Sequence, residues 1–277
     1  MGKSLTPFVV RRRRNLGWLA LAVVSLITIY GAYLLTLHRP AFLTGWLLFG
    51  AVLLLAIYNL RRRVTMFPIG AASTWMQIHI YGGFFAIVVF VMHIGLRWPD
   101  GALERLLALT FVLMAVTGVL GLCWSRWLPD RLTRRGEEVI FERIPAFTAH
   151  LRRQAEDAVE QAARDAGSAT LADYYREHLA EFFAGPRYLL GHLSGSGRPI
   201  YAILNRIDAL KRHLDETERV QHARLRELVE KKDDLDFHYA LQLALKAWLF
   251  VHVPVAGVML MLTVVHLVTV GAYSGGF

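Results

Sequence analysis

Four histidines lie inside two apolar stretches at a matched interval: His79 and His93 are fourteen residues apart, as are His252 and His266. Fourteen residues of α-helix rise about 21 Å and complete nearly four turns, so both imidazoles of a pair project from one face. The hydrocarbon core of a bilayer is about 30 Å thick. Each helix therefore carries one imidazole near each edge of that core. Two such helices side by side make two bis-imidazole sites at different depths. Ionisable groups are costly in hydrocarbon and are kept there for function. A single intramembrane histidine is often a packing residue, but packing gives no reason for the same interval to recur in two spans.

Two imidazoles make a thin shell for zinc, which takes four ligands in structural sites and three from protein in catalytic ones. Haem is different, because the macrocycle supplies four nitrogens and the protein adds only axial ligands. The pattern thus predicts two haem b irons, the inner held by His79 and His252 and the outer by His93 and His266. Two axial imidazoles fill the iron and leave outer-sphere electron transfer as its chemistry. The single cysteine, Cys123, rules out an internal disulfide, a CxxCH attachment site and a four-cysteine iron–sulfur cluster within the chain. Cys123 itself is expected to be a small buried residue near a helix end.

The elements that must position these histidines are membrane helices. The chain is 55% hydrophobic and 19% charged, and stretches near 16–37, 41–60, 74–96, 102–124 and 246–273 are each long enough to cross a bilayer. The first follows Arg11–Arg14, yet it is too long for a signal peptide core and is expected to be a retained anchor. The net charge of +9 follows topology and gives no sign of nucleic acid: Arg11–Arg14, Arg61–Arg63, Arg126, Arg131, Arg134 and Arg135 fall on one side of the spans. The loops around His38–Pro40 and Arg97–Gly101 carry few charges. By the positive-inside rule the N-terminus is cytoplasmic and the tail Tyr273–Phe277 lies outside a bacterial-type inner membrane. The third and fifth spans then run in the same direction, so the pairing by depth needs no adjustment.

The fold class expected is all-α: a multi-pass bundle of five transmembrane helices with a mostly helical cytoplasmic insertion between the fourth and fifth. The expected divisions are 1–124, 125–245 and 246–277. Within the insertion, Val139–Ile144 reads as a short strand or extended lead-in, and Pro145 suits the start of a helix ending before Gly167. A second helix near 170–184 stops at Gly185–Pro186, and Ser194–Pro199 is a turn. Ile203, Ile207, Leu210 and Leu214, then Gln221, Leu225 and Leu228, continue at helical spacing as one long helix or a hairpin. Asp233–Asp236 reads as a restart leading into the last span. His238 is one further interval before His252 but outside the apolar core, which suggests an interfacial residue. His38, His150, His178, His192, His213 and His222 show no paired spacing and are expected to be solvated.

Small residues follow the ligand candidates: Gly82 and Gly83 after His79, Ala256 and Gly257 after His252. Gly83 and Gly257 would let a macrocycle lie close to the helix, although small residues also serve plain helix packing in membranes. Arg97 outside, and Arg62, Arg63 or Lys246 inside, are candidates to pair with propionates; each is equally an ordinary interfacial anchor. Pro254 either aims His252 or is a tolerated membrane proline.

Two helices, each carrying His-x13-His and running in one direction, resemble the haem-bearing core of cytochrome b of quinol–cytochrome c reductases and of ferric-reductase-like membrane cytochromes. The resemblance covers 74–124 and 246–273, and it implies axial roles for His79, His93, His252 and His266. The chain departs from both relatives. It has no Pro-Glu-Trp-Tyr sequence and no flavin or nicotinamide extension, and Gly195-Ser-Gly197 lacks the third glycine of a dinucleotide fingerprint. The expected function is a di-haem electron conduit within a larger redox complex and not a stand-alone enzyme. Its partners would be membrane lipid, companion subunits of the iron–sulfur, flavin or c-type cytochrome kind, and membrane quinone as an open possibility. Two alternatives stay open: a quinone-reactive cytochrome b subunit using Gln77, Thr74 or Tyr81, and a non-redox membrane anchor.

Overall fold

The computed structural model describes residues 7–35, 40–63, 71–133, 135, 139–166 and 169–273. The expectations for His38, Gly167 and the tail beyond Tyr273 fall outside these residues, as do the side chains of Arg62 and Arg63. All the regular structure described is helical. Five helices are long and apolar enough to cross a membrane: α1 (Pro7–Leu35), α2 (Pro40–Arg63), α3 (Ala72–Ile94), α4 (Ala102–Leu132) and the last helix, α10 (Glu216–Tyr273). The chain divides into two compact units, residues 1–122 with 250–277, and residues 123–249.

In the first unit α2 and α3 are the closest-packed pair. Gly82 allows this approach, since a Cβ there would sit 3.3 Å from Leu55 Cδ2. α1 is tied to α3 where Asn15 Nδ2 donates to Gln77 Oε1 at 2.5 Å. α3 ends on Gly95 at φ +62°, the left-handed geometry that glycine adopts without strain at a helix C-terminus. An apolar cluster between α2, α3, α4 and α10 holds Val52, Ala86, Phe90, Ala108, Phe111 and Met259, with Phe90 and Phe111 stacked at 4.1 Å. Large apolar side chains such as Trp18, Leu35 and Met261 point outward, as lipid-facing surfaces require. Cys123 is exposed on α4 and is not a buried residue at a helix end; a thiol on an apolar helix needs no protein cover.

The second unit is a helical domain containing α5 (Ile144–Ala166), α6 (Thr170–Tyr174), α7 (Ala180–Ala184), α8 (Leu189–Ser194) and α9 (Arg198–Leu210). Residues 139–144 form no strand; a 3₁₀ turn over Phe141–Arg143 leads into α5, with Pro145 in the first turn. α6 and α7 are joined by a π-helical turn, Tyr175–Leu179. The apolar stripe of α5 buries Leu151, Ala155, Val159 and Ala162 against Leu171, Phe183, Ile207 and Leu225. α9 and α10 form the hairpin, broken at Lys211–Asp215. Glu218 Oε2 accepts from the Asp215 backbone N–H at 3.1 Å, one half of a capping box that starts α10. His222 Nε2–H donates to the Ile207 carbonyl at 2.8 Å and staples the two arms.

α10 does not restart at Asp233–Asp236 but runs unbroken for 58 residues, through Pro254. The charged run is tolerated because it pairs inward. Lys232, 0% exposed, donates to Asp236 Oδ2 at 2.5 Å and to the Gly185 carbonyl at 2.6 Å, and Arg187 N–H donates to the same carboxylate. His238, His192 and His222 are likewise buried, not interfacial or solvated: their rings bond backbone or sit among paired charges inside the domain. Charge density in the sequence suggested exposure, whereas the groups that complete the network, Gly185, Arg187 and Arg135, lie tens of residues away. Removing one partner strands the other in a dry site. Asp236→Ala should therefore destabilise the second unit by about 3–5 kcal/mol, read as a lower unfolding midpoint of the full chain, while an apolar replacement of both Lys232 and Asp236 should cost little.

Candidate functional site

The four histidines converge within the first unit. His79 and His252 face each other with ring centres 6.5 Å apart, and His266 is the ionisable neighbour of His93. His79 is thus the neighbour of His252, and His93 of His266. α2 and α4 complete each level. At one level Tyr58 lies against His79, ring centres 4.8 Å apart, and Thr117 Oγ1 is 2.9 Å from His252 Nδ1. At the other, Thr44 Oγ1 is 3.1 Å from His93 Nδ1, and Glu104 Oε1 is 3.8 Å from His266 Nδ1.

Each level thus draws one residue from each of four helices. The interval of fourteen recurs between Thr44 and Tyr58 in α2, and Glu104 and Thr117 in α4 are thirteen apart. Ala86 and Met259, each midway between the two histidines of its helix, belong to the apolar core that separates the levels.

The threonines decide which ring nitrogen holds the proton. A hydroxyl has one proton. Thr44 Oγ1 lies 2.9 Å from the Pro40 carbonyl and Thr117 Oγ1 lies 2.8 Å from the Leu113 carbonyl, in both cases nearer than the imidazole. Carbonyls only accept, so the hydroxyl protons go there and each oxygen accepts from Nδ1–H. The lone pair of His93 and of His252 is then on Nε2. That is the second-shell logic by which a protein fixes a ligating imidazole. Each threonine is followed by a glycine under the same ring: a Cβ at Gly45 would meet His93 Cε1 at 3.1 Å, and one at Gly118 would meet His252 Cε1 at 3.7 Å.

The partner histidine at each level is less satisfied. His79 Nδ1 and His266 Nδ1 make no close side-chain hydrogen bond: His79 has the Leu55 backbone beside it, and His266 Nδ1 stands 3.8 Å from Glu104 Oε1. Among the described residues no cluster of three or more His, Cys, Asp or Glu could hold a metal by protein ligands alone. A centre that brings its own equatorial nitrogens fits better. Two imidazoles sharing one metal at about 2.0 Å have ring centres a little over 6 Å apart, which matches the His79–His252 separation.

The remaining candidates are placed less tightly. A Cβ at Gly83 or Gly257 would meet no protein atom within 4 Å, so helix packing does not explain either glycine. Arg97 is exposed on the turn after α3. Lys246 belongs to the second unit, pairs with Glu142 at 2.5 Å and lies over the Phe141 ring. Gln77, proposed for quinone, is engaged by Asn15. Sequence reading missed Thr44, Thr117 and Glu104. The recurring Thr-Gly dipeptide in spans two and four was the available signal.

No protein-family model, curated protein or solved structure matches this chain. Its chemistry has to be read from its own side chains. Thr44→Val removes the acceptor of His93 Nδ1–H without changing volume, and should turn the single Nδ1–H tautomer of that ring into a mixture in ¹⁵N spectra of the imidazole. Gly45→Ala should displace the same ring by a few tenths of an ångström, while Gly118→Ala leaves His252 in place.

Proposed function

We propose that the chain is a di-haem b-type cytochrome that conducts electrons across a membrane as a subunit of a larger redox complex. The observation that carries this reading is the matched pair of four-helix levels, each with two facing histidines and one imidazole oriented by a threonine hydroxyl. His79 and His252 would hold the inner group, and His93 and His266 the outer. Haem iron held by these two histidine pairs would exchange single electrons.

The protein's own part is positioning and exclusion. Thr44 and Thr117 fix the tautomer that presents Nε2. Gly83 and Gly257 leave room beside the ligand helices, and Arg97 is the cation nearest in sequence to His93 for a propionate. The core of Ala86, Phe90, Phe111 and Met259 between the levels keeps water and ions from following the electron. The levels are about 21 Å apart along the helix axes. A charge that crosses the whole membrane exchanges about 2.3 kcal/mol per 100 mV with the potential, so a dry path has energetic value.

The distribution of arginine supports a cytoplasmic N-terminus and second unit in a bacterial-type inner membrane, with the C-terminus outside. Redox partners would then dock on both sides. His79→Ala or His252→Ala should remove one b-type spectral component and spare the other, with His93→Ala and His266→Ala removing the second. Loss of both components in any single variant would contradict two separate sites.

A further inference from the structure

Two of the apolar stretches end inside the second unit, that of α4 near Trp124 and Trp127 and that of α10 near Lys246 and Trp248. Indoles and cations at span ends favour the membrane–water interface. Two separate segments of the unit pack against these helix ends, and each carries a large aliphatic side chain that stands clear of the protein.

The first segment is α8. Leu189 and Leu193 pack on the cluster that Leu128 of α4 forms with Phe237 and Leu241 of α10. The Arg131 guanidinium donates to the His192 and Leu193 carbonyls, each at 2.9 Å, and lies 4.5 Å from the centre of the Trp127 ring. α8 is thereby held at the height of an indole that is itself 50% exposed. Leu190, the next residue along α8, lies outside the cluster and is 82% exposed.

The second segment leads into α5. Gln242 Nε2 donates to the Val139 carbonyl at 2.7 Å, and Lys246 Nζ lies 4.0 Å from the centre of the Phe141 ring. Gln242 and Lys246 are one turn apart, about 6 Å along α10. Ile140, between Val139 and Phe141, is extended and 58% exposed, so its apolar side chain is fixed within about one turn of Lys246. The headgroup layer adds roughly 5–7 Å to each face of the hydrocarbon, which covers this height.

We propose that Leu190, Ile140 and Trp127 form a collar that dips into the headgroup layer, so that the second unit rests on an anionic membrane surface around the ends of α4 and α10. Continuity identifies the occupant, because the lipid-facing stretches of both helices begin at these same ends. Charge agrees with it. Arg126, Arg131, Arg143 and Lys246 accompany the collar and outnumber Asp130 and Glu142, and basic groups beside a span are drawn to anionic headgroups. Apolar side chains on such a basic face insert at the boundary between headgroups and acyl chains.

α10 supplies its own control. Val220 is 67% exposed but lies 26 residues before Lys246, about 39 Å further along the helix. The test places a nitroxide at Leu190→Cys, Ile140→Cys or Val220→Cys, each in the full chain with the exposed Cys123 replaced by Cys123→Ser. In nanodiscs of phosphatidylcholine and phosphatidylglycerol, collisions are compared for oxygen, which concentrates in lipid, and a water-soluble nickel complex. The oxygen-to-nickel collision ratio should be several-fold higher at positions 140 and 190 than at 220. Both side chains stand outside the unit's own packing, so this preference reports lipid and not the protein interior. A ratio at either position no higher than that at 220 overturns the proposal and leaves that side chain to a soluble partner. Haem content does not enter the readout, so the result stands apart from the electron-transfer reading.

Discussion

Everything in the membrane unit follows from the cost of keeping imidazoles in hydrocarbon. A ring nitrogen left without a partner there is penalised, and a helix that carries two rings must satisfy both or give them a task. α3 and α10 carry two each, and α2 and α4 supply the answer at matching heights. Thr44 and Thr117 take one Nδ1–H per level, while His79 and His266 have no threonine and are held more loosely. The interval near fourteen in all four helices is the geometric form of this constraint, since residues from antiparallel helices meet twice only if both share the spacing.

Most of the membrane architecture was legible in the sequence because its signals are local. Length and apolarity gave the spans, and the histidine interval singled out the four residues that lie as neighbours, His79 by His252 and His93 by His266. What stayed hidden was relational. Thr44 is a common residue in a membrane helix, and only its placement against His93 gives it meaning. Gly83 and Gly257 were singled out by proximity to histidine, whereas Gly45 and Gly118, on other helices, lie under the rings.

The second unit shows the opposite balance. Its helices are marked by period and by proline, but its interior is polar in places where charge suggested a surface. Lys232, Asp233, Asp236, His192 and His238 are all buried. Lys232 and Asp236 pair across one helical turn, but Gly185, Arg187 and Arg135, which complete the network, lie between 47 and 103 residues away in the chain, a distance no local pattern spans. The unbroken α10 depends on this pairing, because the run that looked like an interruption faces inward.

The account stands or falls on whether each histidine level holds a haem. The most direct measurement is the haem-to-protein ratio of the chain purified from haem-replete membranes, taken with its reduced-minus-oxidised spectrum. Two b-type haems per chain is the predicted result, one for each facing histidine pair. A chain that folds and purifies without haem would contradict it and leave four half-buried imidazoles with only a packing role.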